Sequence, residues 1–178
     1  SNDQKHIYVS GFGDDSISWF NRNTVSGMLS YGGLRRDGVD GGNSLRGAYP
    51  STISADDSFV YVVSRHDNAV NWFERNATDG SLTFRGFLKD GVGGVNGLDA
   101  ASFIELSADG RFAYISAWED DTVSWFERNA TDGSLSYLGS LKHGVDGVDG
   151  LDTAWCLNLS PDNSHVYVVG TGAVSWFT

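Results

Sequence analysis

Apolar and polar residues alternate along this chain in short runs, and nowhere do they keep a helical period. Residues 102–106 (SFIEL), 112–117 (FAYISA), 122–127 (TVSWFE) and 134–138 (SLSYL) each read as a strand, rich in β-branched and aromatic side chains. Turn chemistry separates them. Residues 107–110 (SADG) turn the chain after the first run, and a polar loop with Glu119, Asp120 and Asp121 follows the second. Residues 129–133 (NATDG) follow the third, their glycine suited to a positive φ. A glycine-rich link, 144–150, leads onward. The pattern predicts antiparallel four-stranded units joined by tight turns.

The same unit recurs. Trp-Phe pairs stand at Trp19-Phe20, Trp72-Phe73, Trp125-Phe126 and Trp176-Phe177, with spacings of 53, 53 and 51 residues. The eleven residues WFERNATDGSL appear identically at 72–82 and 125–135. Leu45, Leu98 and Leu151 align without gaps, as do Tyr8, Tyr61, Tyr114 and Tyr167. The last copy lacks two residues between Gly172 and Ala173, which shortens one loop.

Four short antiparallel strands in a repeat of about 53 residues is the pattern of a propeller blade. The fold class expected is all-β, a β-propeller segment of about 3.5 blades forming one domain over 1–178. Its units are 6–47 (partial), 48–100, 101–153 and 154–178 (partial). One small sheet cannot bury both faces, so each blade must be covered by its neighbours. Strand side chains alternate faces, so each Trp-Phe pair points two ways and reads as inter-blade core. The first unit lacks its inner strand and the last its outer one. Three explanations compete: a piece of a longer propeller, association with another copy or a companion half, or a small closed ring. The free edges at 7–9 and 174–176 are expected to promote association.

Charge narrows the partners. Twelve Lys and Arg against 23 Asp and Glu give a net charge of -11. That opposes nucleic acid, whose phosphates need basic contacts, and anionic lipid. No run approaches the length of a membrane span. Cys156 is the single cysteine, so no internal disulfide forms, and its apolar setting reads as packing.

Function is sought where residues vary inside the constant frame. Arg46, Asp99 and Asp152 precede successive inner strands, followed by Tyr49, Ser102 and Trp155. All are expected to ring the channel mouth. Arg46 offers a fork to a carboxylate or oxyanion, and Asp99 and Asp152 are candidate general bases. The loop between second and third strands carries Phe12, then Arg65 and His66, then Trp118 and Glu119. Arg65 and Trp118 are candidate ligand contacts there. Asp146, Asp149 and Asp152 alternate with glycines in a linker whose equivalents are 40–46 and 93–99. Such oxygens can wrap Ca²⁺; the alternative is a plain turn held by Asp side chains. No Ser-His-Asp or Cys-His order is evident, and the four histidines are scattered. Residues 76–78 and 129–131 match the glycosylation acceptor pattern in one repeated turn, which favours a secreted setting.

The segments LSPDNSHVYVV (159–169), TVSWFERNATDGSLSYLG (122–139) and GAYPSTIS (47–54) resemble the seven-bladed propellers of the lactonase, or 6-phosphogluconolactonase-like, family. The resemblance covers essentially the whole chain, about half such a ring. It implies a ligand site at the central channel and a hydrolase acting on a cyclic ester. The repeats themselves, with little visible catalytic chemistry, favour a non-catalytic binding or scaffold module engaging a protein or glycan partner. The lactonase-type enzyme stands as the alternative.

Overall fold

The computed structural model describes residues 1–39 and 44–178. Fourteen strands are formed among them: β1 (His6–Gly11), β2 (Ser16–Arg22), β3 (Leu29–Arg36), β4 (Ala48–Ile53), β5 (Phe59–Ser64), β6 (Ala69–Arg75), β7 (Leu82–Lys89), β8 (Ala101–Leu106), β9 (Phe112–Ala117), β10 (Thr122–Arg128), β11 (Leu135–Lys142), β12 (Cys156–Leu159), β13 (Val166–Gly170) and β14 (Ala173–Phe177). They make four antiparallel meanders, β1-β2-β3, β4 to β7, β8 to β11 and β12-β13-β14. The all-β propeller segment of about 3.5 blades is therefore observed, with three, four, four and three strands. The inner strands gather on one side: β4 lies between β1 and β8, and β12 packs beside β8.

The fourth strand of each unit is longer than its alternation predicts. β11 continues to Lys142 because a bulge lies opposite Trp125 and Phe126. Trp125 pairs with Gly139 and Phe126 with Tyr137, leaving Leu138 as the extra residue. The same shift occurs opposite Trp19-Phe20 and Trp72-Phe73. A glycine is needed there: a Cβ on Gly86 would lie 2.5 Å from the Trp72 ring.

The Trp-Phe pair behaves as strand alternation requires. Trp19 shares a core with Phe73 and Leu82 of the next unit, and Trp72 shares the next core with Phe126 and Leu135. Trp19 and Trp72 thus face forward and Phe73 and Phe126 backward, so each interior junction is closed by side chains of the two sheets that flank it.

Polar side chains fasten the same junctions. Arg128, at the end of β10, donates from Nε to Tyr61 Oη (2.8 Å) and from Nη2 to Asp56 Oδ2 (3.0 Å) in the preceding unit. Tyr61 Oη in turn donates to the Gly133 carbonyl at 2.8 Å. One unit earlier, Arg75 repeats these bonds with Tyr8 and Asp3, and Tyr8 with Gly80. On the channel side, Asp15, Asn68 and Asp121 accept from the backbone N–H of Gly47, Ala100 and Thr153, at the end of the link that leads into the next unit's inner strand. The three occupy one repeat position, each with a positive φ.

Candidate functional site

Two repeat positions meet at the channel mouth. One is the first residue after the second strand: Phe12, Arg65 and Trp118. The other lies at the head of the inner strand: Tyr49, Ser102 and Trp155. The inner strands are irregular there. The β4–β5 register shifts between Ala48 and Ser51, around Tyr49, and the β8–β9 register shifts between Ala101 and Phe103, around Ser102. Bulges of this kind re-aim side chains and commonly sit beside functional sites.

The aromatic rings form a continuous chain across the mouth. Phe12 stands edge-on to His66 (4.9 Å between centroids) and to Tyr49 (5.9 Å). Tyr49 meets Trp155 at 6.0 Å, and Trp155 meets Trp118 at 4.7 Å. Tyr49 and Trp155 belong to units that flank Ser102, whose side chain is small and buried. The Arg65 guanidinium lies over Trp118 at 4.1 Å and 5.7 Å from the centre of Trp155. Such a cation–ring contact contributes about 0.5–2 kcal/mol. Among the described residues the Arg65 side chain has no carboxylate within ion-pair distance, although the chain carries an excess of acid. Beside it runs a groove of about 570 Å³ whose walls include Val9, Phe12, Tyr49, Ser102, Trp155 and Cys156.

The sequence candidates divide accordingly. Tyr49, Ser102, Trp155, Arg65 and Trp118 are brought together. Ser102 contributes its small size rather than its hydroxyl, which donates to the Ala100 carbonyl at 2.8 Å. Arg46, Asp99 and Asp152 do not line the groove, and neither do Arg65 and Trp118, which reach its lining only through Trp155. The backbones of Arg46, Asp99 and Asp152 are what the fold uses: Arg46 N–H donates to Asp67 and Asp99 N–H to Asp120, while the Asp152 carbonyl accepts from Thr171 N–H. Asp146, Asp149 and Asp152 are not gathered as a metal site, and no group of three metal-ligating side chains occurs among the described residues. Asp149 instead accepts from the Gly150 N–H and lies 3.5 Å from His143. Residues 40–43 of the first equivalent linker lie outside the described residues. In the two glycosylation-type turns, Asn76 and Asn129 are exposed and accept from the N–H of Thr78 and Thr131.

Reading the sequence missed Phe12 and His66 as neighbours of this cluster, because neither stands out until the loops of adjacent units converge. It also missed Glu105 of β8. Burial raises that carboxyl above its ordinary range, and Oε2 accepts from Leu159 N–H of β12 at 3.1 Å. Glu105 fastens two inner strands and does not line the groove.

Comparison with known proteins places this geometry. Comparison with curated protein sequences finds no match. Among solved structures, a candidate 6-phosphogluconolactonase from Bacteroides fragilis superposes with a TM-score of 0.81 at 22% identity, over 99% of this chain and 48% of that one. The periplasmic gluconolactonase of Pseudomonas aeruginosa superposes with a TM-score of 0.78 at 19% identity, over 99% and 47%. Hydrazine synthase of Kuenenia stuttgartiensis shares the fold more distantly, with a TM-score of 0.70 at 16% identity, over 99% and 44%. The chain spans about half the length of these structures. The family model described as lactonase, 7-bladed beta-propeller, matches residues 1–94, more than half of the sequence. The chain belongs to the lactonase family of seven-bladed β-propellers.

Proposed function

We propose that this chain supplies the substrate-binding wall of a lactone hydrolase, with the aromatic groove at the channel mouth receiving the cyclic ester. Family membership moves the balance from the non-catalytic binding module, which the repeats alone favour, to the hydrolase. The observation that carries the reading is Arg65, spread over Trp118 with no acidic partner among the described residues, at the edge of an aromatic groove.

The chemistry follows from those parts. The apolar faces of Phe12, Tyr49 and Trp155 suit the carbon skeleton of a small ring. Water attacks the lactone carbonyl carbon, forming a new C–O bond and a tetrahedral oxyanion. Arg65 presents fixed N–H donors to that negative charge, which is worth most where it develops in the transition state. In this reading His66, edge-on to Phe12, takes the proton of the attacking water. The ring C–O bond then breaks, and that proton returns to the departing alkoxide. The product is an open hydroxy acid, and no oxidant, reductant or cofactor enters the balance.

Hydrolysis of a panel of sugar-acid lactones by the purified chain, followed at constant pH, tests the reading. Turnover above the buffer rate is expected, reduced about 100-fold in Arg65→Met. His66→Gln is expected to lower turnover about 100-fold as well. Saturable binding of the same sugars without turnover would return the chain to the class of glycan-binding modules.

A further inference from the structure

The turn between third and fourth strands is built alike in the first three units. Asn23, Asn76 and Asn129 open it, and Gly27, Gly80 and Gly133 close it, each at a positive φ. The closing N–H donates to the carbonyl of the opening asparagine at 2.8, 2.8 and 2.9 Å. Within the turn the asparagine Oδ1 accepts from the N–H two residues on, that of Val25 (2.9 Å), Thr78 (2.8 Å) and Thr131 (2.8 Å). An asparagine that caps its own turn in this way holds its side-chain amide in one orientation.

In the second and third units that amide is fully presented. Oδ1 is committed to the backbone, while Nδ2 of Asn76 and of Asn129 has no partner among the described residues. The hydroxyls of Thr78 and Thr131 are unpartnered in the same sense, and residues 76–78 and 129–131 are all exposed. This exposure belongs to the blade. The turn at 76–80 rests on His6 and Tyr8 of the unit before it, the turn at 129–133 rests on Phe59 and Tyr61, and a further unit follows each. Both turns stand at the far end of the third strand from the channel-mouth loops, on the face away from the groove.

Two other asparagines show what the pair has in common. Asn23 has the turn but is followed two residues on by Val25, which carries no hydroxyl. Asn158-Leu159-Ser160 has the Asn-X-Ser/Thr pattern but not the turn. Asn158 lies in β12 opposite Tyr167, Leu159 N–H donates to Glu105 Oε2 at 3.1 Å, and the Ser160 hydroxyl donates to Asp162 at 2.6 Å. Only Asn76 and Asn129 combine the pattern with a presented amide and a free hydroxyl.

We infer that Asn76 and Asn129 are acceptor sites for an N-linked glycan delivered from a lipid-diphosphate oligosaccharide, and that the folded chain withholds Asn158. Nδ2 forms a bond to the anomeric carbon of the first sugar. The bond from that carbon to the diphosphate oxygen breaks, the lipid diphosphate leaves with the electron pair, and one amide proton passes to solvent. Glycans at these positions coat the face opposite the groove and leave the channel mouth open. The inference stands independently of any hydrolase activity.

The purified, folded chain, incubated with an oligosaccharyl transferase and a lipid-diphosphate oligosaccharide, tests this by intact mass and peptide mapping. Two glycans are expected, one at Asn76 and one at Asn129. Asn76→Gln and Asn129→Gln should each remove one, and the double variant both. Thr78→Val should lose the glycan at Asn76, and Thr78→Ser should keep it. These side chains are exposed, so thermal unfolding of each variant should match the wild type and show that it is folded. Val25→Thr completes the pattern at Asn23 and should add a third glycan; its failure to do so overturns the part assigned to the turn. Absence of a glycan from either Asn76 or Asn129 overturns the inference, as does modification of Asn158 in the folded chain as fast as that of Asn76.

Discussion

At the scale of the residue, the inter-unit latch concentrates the polar energetics. Arg128 is almost fully buried, and its removal takes a donor from the Tyr61 hydroxyl, which keeps its own bond to Gly133, and from one oxygen of Asp56. Arg128→Met is expected to cost about 2–3 kcal/mol in urea unfolding, a value reduced because Asp56 is partly exposed. The latch also sets a pH window. Burial pushes the Tyr8 and Tyr61 hydroxyls up to about 12, the neighbouring arginines offsetting only part of the shift. The unfolded chain loses these protons near pH 10 while the folded chain keeps them. Their contribution is therefore present below about pH 10 and is lost as pH rises toward 12. Burial alone would raise the Asp3 and Asp56 carboxyls, but hydrogen bonds from Ser1 or Ser54 and from the arginines outweigh it and hold both low. Their contribution is present above the ordinary carboxyl range and is lost as pH falls through and below it. Thermal unfolding against pH should give a plateau with both shoulders, and Tyr61→Phe should reduce the alkaline one.

At the scale of the element, the outer-strand bulge and the channel-side loops are the features that give the blade its shape. Gly86→Ala would drive a methyl group into Trp72, with the outer strand on one side and the buried ring on the other. A loss of about 2 kcal/mol is expected, read in the tryptophan fluorescence of a urea titration. The acceptor loops hold the link into the next unit's inner strand through single bonds such as Asn68 Oδ1 to Ala100 N–H. Asn68→Ala leaves that part-buried N–H unpaired. It should cost about 1 kcal/mol and speed hydrogen exchange at the head of β8 more than elsewhere. Uniform acceleration across all strands would mean that the units unfold together.

At the scale of the whole molecule, stability is shared along an array in which each sheet is covered by the next. Three hydrophobic cores lie at the junctions between sheets rather than within any one sheet. The end faces are the exceptions, where residues with buried counterparts meet solvent. The groove at the channel mouth draws residues from every unit: Phe12 from the first, Tyr49 from the second, Ser102 from the third and Trp155 from the fourth. A ligand in that groove should therefore raise the melting temperature of the whole chain, not of one blade.

The sequence by itself determined the repeat, the strand count and the opposite facing of Trp and Phe. Those features rest on local rules: the two-residue period of a strand, the positive φ that glycine supplies in a turn, and the need of each small sheet for a cover. It also marked Tyr49, Trp155, Arg65 and Trp118 as varied positions in a constant frame. Only the tertiary structure decided that these meet, because their contacts join residues dozens of positions apart through loops of different units. The same limit explains Arg46, Asp99 and Asp152, which occupy the right height in the repeat but serve through their backbones. It explains the latch as well: Arg128 and Asp56 are 72 residues apart, and nothing in the alternation of either strand says that they touch.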